Sequence, residues 1–337
     1  MNKFALISRL SVCFLLFVLC LLLGGSAYQW GISQYEDHKF KVPGRLVDIG
    51  GYSLHLNCTG AGSPTVILEA GLGSNSLDWS MVQPEAAKLT RVCSYDRAGS
   101  GWSESSPKKP RVSSIIAQEL HALLQSAGLQ SPYILVGSSF GGINVRMYER
   151  KFPDEVAGIV LVDSSHEQQF EIMNFSTEIP SWSKFLFVQV KAYTGWTRIE
   201  HQMQEPHHSF NRFDEETRKA YLAKLNTTNA IIALAEESEN FLQSTEQMKE
   251  ADGLMGNKPL IVITAGKYSF SGPVETEETK EQQRKWNALQ LDLVSKSSAG
   301  KQIIAKDSGH GISIEEPKII VDAIKEIFEL ISQKNQK

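Results

Sequence analysis

Two adjacent serines, Ser138 and Ser139, stand in "YILVGSSFGG" (Tyr133 to Gly142), between an apolar strand-like run and a segment with helical spacing. A serine hydroxyl becomes a useful nucleophile only with a base in hydrogen-bond reach, a group that orients the base, and donors for the developing oxyanion. A sharp turn from strand to helix can present such a serine, provided the residues two before and two after it are small. Ser139 has Gly137 and Gly141 at those places, whereas Ser138 has Val136 and Phe140. Ser139 is therefore the candidate nucleophile, and the bland alternative is a glycine-rich helix entry with two capping serines.

Of the eight histidines, His310 in "KDSGHGISIEEP" lies between two glycines, after the last strand-like run and ahead of the final helix. That is where a base would belong. His55 and His121 fall within a strand and a helix, and His38 precedes the core. His201, His207 and His208 lie in a charged helical region, and His166 follows Asp163 directly.

The elements that must position these residues alternate in a readable way. "GRLVDIGG" and "YSLHLNC" meet at Gly50-Gly51 and read as a β-hairpin. "PTVILEA" and "RVCSYD" follow as strands. Helix "SSIIAQELHALLQSAG" (Ser113 to Gly128), strand "PYILVG", helix "FGGINVRMYERKF" and strand "VAGIVLVD" (Val156 to Asp163) come next. "PLIVITAG", a long polar helix, "KQIIAKDSG" and a helix from Pro317 close the chain; Ile319, Ile320, Ala323, Ile324, Ile327, Phe328 and Ile331 form one stripe there. Continuous apolar runs suit parallel strands covered on both faces, so a hairpin followed by alternation predicts a mixed sheet wrapped by helices. Between Asp163 and Pro259 the alternation stops for about 95 residues, too long for a plain connection. This insert reads as a helical cap, in which Trp182, Phe185, Phe187 and Trp196 are candidates for an apolar pocket wall or for helix packing.

Composition bounds the function. The 337 residues are 42% hydrophobic and 21% charged, with a formal net charge of -4. That is a globular chain with no basic field for nucleic acid, and no repeat or long linker divides it. The N-terminus differs: Lys3 and Arg9 precede the uncharged run Leu10 to Gly25. It reads as a signal-anchor or signal peptide over 1-27 with a juxtamembrane linker over 28-43. "GSA" (Gly25 to Ala27) offers a cleavage site, and the basic residues put the N-terminus inside and the remainder outside. Either way the expectation is export, as a membrane-anchored or, if cleaved, secreted protein. No metal-ligand spacing and no phosphate-binding glycine loop is present, so no cofactor is expected.

The residues quoted above resemble the α/β-hydrolase superfamily, specifically its capped serine-dependent, carboxylesterase-like members. The resemblance spans Gly44 to Ile331 and rests on "GSSFGG", "EAGLGSNSLDW", "SYDRAGSGWS" and "DSGHG". It implies a mostly parallel eight-stranded sheet flanked by helices, with core segments 44-163 and 259-333 and a cap over 164-258 after strand 6. It further implies Ser139 as nucleophile, His310 as general base, and an oxyanion hole from the N–H groups of Leu72 and Phe140. Asp96 and Arg97 match a loop that braces the site. The second strand would lie beside the fourth, permitting a Cys58–Cys93 disulfide. In most relatives the acid follows the seventh strand, but the first carboxylate there is Glu275, nine residues beyond Gly266. Asp163 is favoured over Glu275, with Glu277 as a further alternative. The expected activity is cleavage of an ester or related acyl compound. A non-catalytic surface binding module is the reading from a different class.

Overall fold

The computed structural model describes residues 3–175, 182–204, 208–251, 253–267 and 276–334. Eight strands form one sheet in the order β1-β2-β4-β3-β5-β6-β7-β8. They are β1 (Arg45–Asp48), β2 (Ser53–Thr59), β3 (Thr65–Glu69), β4 (Val92–Tyr95), β5 (Tyr133–Ser138), β6 (Val156–Val162), β7 (Leu260–Ala265) and β8 (Gly300–Ala305). β2 runs antiparallel to both β1 and β4, and β3 to β8 are mutually parallel. The predicted hairpin is present. Gly50 and Gly51 adopt φ of 104° and 105°, open to glycine alone at little cost, and both donate their N–H to Asp48 Oδ1.

Thirteen α-helices accompany the strands among the described residues: α1 (Lys3–Lys39), α2 (Gln83–Ala86), α3 (Ser113–Ser126), α4 (Phe140–Lys151), α5 (Gln169–Met173), α6 (Trp182–Tyr193), α7 (Trp196–Met203), α8 (Glu215–Leu225), α9 (Thr228–Glu239), α10 (Phe241–Glu250), α11 (Glu277–Ser295), α12 (Ile312–Glu315) and α13 (Pro317–Lys334). The continuous apolar runs have the expected cause. On β5, Tyr133 and Leu135 enter a core with Leu120, Leu124, Ile143 and Met147 of α3 and α4. Ile134 and Val136 point the other way, into a core with Ala323, Ile324 and Ile327 of α13. Alternate side chains thus fill opposite faces, and each fully buried aliphatic side chain contributes about 1.5–3 kcal/mol relative to exposure. In the predicted α13 stripe, Ile320, Ala323, Ile324, Ile327 and Ile331 are buried, while Ile319 and Phe328 are only partly so.

The insert after β6 holds α5 to α10, and its helices pack on the loops at the carboxyl ends of the strands. Leu234 and Ala233 of α9 abut Gly73 and Gly99 so closely that a Cβ on either glycine would lie 2.8 Å from them. Beneath, Cys58 and Cys93 sit opposite each other on β2 and β4 and form a disulfide.

Within residues 28-43, read above as a juxtamembrane linker, α1 continues to Lys39. Tertiary partners keep this half helical. Gln29 Nε2 donates to Asn226 O, Glu36 pairs with Arg198 at 2.7 Å, and Asp37 pairs with Lys224 at 2.6 Å. The cap thereby holds the outer half of α1 against itself.

Candidate active site

β5 ends at Ser138 and α4 begins at Phe140, so Ser139 alone turns the chain. Its φ of 52° and ψ of -122° lie where side-chain-bearing residues are strained by about 1–3 kcal/mol. The surroundings over-determine that conformation. Ser139 N–H donates to Val162 O at 3.0 Å, and Ser139 O accepts from Gly142 N–H at 2.9 Å and Ser165 N–H at 3.0 Å. Crowding explains the glycines. A Cβ on Gly137 would lie 2.5 Å from the Gly141 carbonyl oxygen, and one on Gly141 would lie 2.6 Å from the oxygens of Glu69 and Ala70. A third close approach, at Gly142, would set a Cβ 1.9 Å from Ser164 Oγ.

The register of β5 on β6 pairs Ser138 with Val162, so Asp163 stands at the next strand end beside Ser139. Asp163 also has positive φ, 41°, and its carboxylate is fully buried. Oδ1 accepts from Ala265 N–H at 3.0 Å and from Trp286 Nε1–H at 2.8 Å. Oδ2 lies 2.6 Å from His310 Nδ1. A carboxylate held this way assigns the ring proton to Nδ1 and makes Nε2 the basic nitrogen of the neutral imidazole. Burial lowers the His310 pKa, but the hydrogen bond and charge of Asp163, with a further contribution from Asp78, outweigh it and leave the ring above its usual 6.5.

The loop after β3 crosses this turn: a Cβ on Gly71 would lie 3.4 Å from Ser139 Cβ. Arg97, buried behind the loop, donates to Ala70 O and Gly71 O, both at 2.7 Å. In a trans peptide the N–H points opposite the carbonyl, so the Leu72 N–H is directed away from Arg97. Phe140 is the first residue of α4, and its N–H has no acceptor within the helix. The same guanidinium pairs at 2.8 Å with Glu69 of β3 and Glu237 of α9, fastening cap and loop together. Asp96 is likewise a brace: it accepts from Ser76 N–H and Trp102 N–H and lies 2.7 Å from His55. Burial opposes both charges of that pair, but their mutual attraction lowers the Asp96 pKa and raises that of His55.

Three contributors had no signal in the sequence. Trp286 sits mid-helix in α11, 123 residues from the carboxylate it serves. Glu237 looks like any acidic residue of a polar helix. Asp78 has its pKa raised by burial, against hydrogen bonds with Ser74 and Tyr221, and its charge reaches His310. Only the tertiary fold sets these beside the turn.

The other candidates separate cleanly. Glu275 and His207 lie outside the described residues. Glu277 is 84% exposed and pairs with Lys280, so it does not orient His310. His166 and Glu167 are buried, but they serve an ion-pair network: His166 meets Asp292 at 3.0 Å, and Arg146 grips Glu167 with both terminal nitrogens. Burial raises the Glu167 pKa, yet Arg146 holds it far below the usual carboxylate range. His166, Glu167 and Asp292 cluster closely enough to suggest a metal site, but Lys296 lies 3.3 Å from Glu167 and 3.2 Å from Asp292. The carboxylates are already matched by cations. Phe187 and Trp196, candidates for a pocket wall, are more than half exposed. A cavity of about 580 Å³ lies between the end of α1 and helices α7 and α8, lined by Tyr35, Lys39, His201 and Phe210 among others. It does not include Ser139 or His310.

A sequence model of the alpha/beta hydrolase fold family matches residues 64–212, the stretch from β3 through the Ser139 turn into the insert after β6. The chain has the α/β-hydrolase fold. Its structure is similar to that of an epoxide hydrolase, CorEH, at a TM-score of 0.63 and 18% identity, covering 85% of this chain and 98% of the other. Among curated relatives, the Bacillus subtilis protein YqjL is 26% identical over 269 residues, 80% of this chain and 85% of its own. The Hormonema carpetanum protein efuK, named as a transporter, is 25% identical over 320 residues. Those cover 86% of this chain and 43% of efuK, so the chain spans less than half of that relative.

Proposed function

We propose that this α/β-hydrolase-fold chain is a serine hydrolase that cleaves a carboxylic ester, or a related acyl compound, through an acyl-enzyme on Ser139. The observation that carries the reading is the Asp163–His310 hydrogen bond at 2.6 Å, at the strand end next to a serine held in a strained turn. His310 Nε2 takes the Ser139 proton as Oγ attacks the substrate carbonyl, and the N–H groups of Leu72 and Phe140 receive the oxyanion. The same proton then goes to the departing alcohol, leaving the acyl group on Ser139. Water, deprotonated by His310, releases the acid and returns the serine. Asp163 keeps the ring in the required tautomer and stabilises it once charged. A serine at this turn, where epoxide hydrolases of the fold use aspartate, supports acyl transfer over epoxide opening.

The reading extends to location. α1 is long and apolar enough to cross a membrane, and Lys3 and Arg9 favour an inside N-terminus with the catalytic domain outside. The test is labelling of the full-length protein with a fluorophosphonate. Loss in Ser139→Ala and His310→Ala with retention in Ser138→Ala is expected. Absence of labelling in folded wild type would turn the reading toward a surface binding module.

A further inference from the structure

α6 and α7 present an apolar face to the outside. Leu186, Phe187, Val190 and Tyr193 of α6 are 50%, 62%, 40% and 57% exposed, and Trp196 and Met203 of α7 are 56% and 83% exposed. Their spacing keeps each set on one side of its helix, and soluble surfaces rarely gather so many large apolar groups. Several polar groups among them have local partners: Thr194 Oγ1 donates to Val190 O, Trp196 Nε1 to Glu200, and Lys191 pairs with Glu200.

The position of this face follows from its contacts with α1. Gly25 packs on Thr194, where a Cβ would lie 2.7 Å from the Thr194 carbonyl oxygen, and Gly195 approaches Tyr28 and Gln29. From Arg9 to Trp30 the helix rises about 32 Å, which matches the roughly 30 Å hydrocarbon thickness of a bilayer. Tyr28 and Trp30, both exposed, then fall at the outer interface, where such side chains concentrate. Gly25 lies about 7 Å inside that level. Because Gln29, Glu36 and Asp37 bind α1 to the cap and Gly25 packs on Thr194, the junction of α6 and α7 is carried to the same depth.

We propose that the outward face of α6 and α7 is seated in the headgroup–acyl boundary of the bilayer that α1 crosses. The catalytic domain is then held by two contacts, a spanning helix and an interfacial patch, which fix its orientation on the membrane surface. Burial to about 5–10 Å is the usual depth of such amphipathic helices. The inference rests on the spanning role of α1 given above, and its test separates the two.

Full-length protein in which Cys13 and Cys20 are serine, with the Cys58–Cys93 disulfide retained, is reconstituted into nanodiscs of phosphatidylcholine with a minority of phosphatidylglycerol. Single cysteines (Phe187→Cys, Met203→Cys, Leu15→Cys and Lys318→Cys) carry an environment-sensitive NBD label. Lipids bearing a nitroxide near the headgroup should quench most of the emission at positions 187 and 203, while position 318 on α13 remains unquenched. A nitroxide at the acyl-chain end should quench position 15. If position 15 is quenched while 187 and 203 behave like 318, α1 spans and the patch proposal falls. If position 15 is also unquenched, the spanning helix falls, and the patch proposal with it.

Discussion

Replacing Asp163 with asparagine tests the proposed chemistry most sharply. In the native site Oδ1 accepts from Ala265 N–H and Trp286 Nε1–H, and Oδ2 faces His310 Nδ1. Asparagine can keep its carbonyl oxygen on the two donors, so volume and packing barely change. Its amide group then faces His310 and donates to Nδ1, which drives the ring proton to Nε2, the nitrogen that must accept a proton from Ser139. The wrong tautomer, together with loss of the negative charge beside the imidazolium, should cost about 10⁴ in kcat by comparison with the serine-protease triad. That corresponds to about 5.4 kcal/mol of transition-state stabilisation. Hydrolysis of a p-nitrophenyl ester measures it, with thermal unfolding to confirm an intact fold.

The pH profile supplies a second readout. The base acts in its neutral form, so kcat/KM falls as the pH drops through the His310 pKa. Since Asp163 raises that pKa above 6.5, the acid limb of the wild type should lie above 6.5 and that of Asp163→Asn below the wild-type position. Activity within tenfold of wild type, or an equal loss in Glu275→Gln, would refute Asp163 as the acid.

Three further outcomes follow from the geometry. Gly141→Ala would drive a methyl against the carbonyl oxygens of Glu69 and Ala70, backbone atoms that cannot step aside; a loss of about 1–3 kcal/mol or more in denaturant unfolding is expected. Replacing Cys58 and Cys93 with serine opens a cross-link between residues 35 apart in sequence, and about 3–4 kcal/mol of stability should go with it on the chain-entropy estimate. Fluorophosphonate labelling should persist in Ser138→Ala and vanish in Ser139→Ala, because only Ser139 occupies the strained turn.

The sequence by itself determined the local events. Apolar runs of strand length fixed β5 to β7, since a strand covered on both faces needs no polar alternation. The paired glycines around Ser139 declared a close-packed turn, because any Cβ there collides with backbone. The glycines flanking His310 and the stripe of α13 were legible for similar short-range reasons. What tertiary structure alone decided is which distant groups meet. Asp163 was already favoured over Glu275 and Glu277 in the sequence, but its 2.6 Å contact with His310 exists only because the register of β6 and the fold of the His310 loop bring those two side chains together. Trp286, Glu237 and Asp78 carry no local pattern, since a single hydrogen bond or charge acting across the fold leaves no periodicity along the chain. The extension of α1 to Lys39 was hidden for the same reason. Its outer half is polar enough to read as a linker, and it is helical because Arg198, Asn226 and Lys224 of the cap receive it.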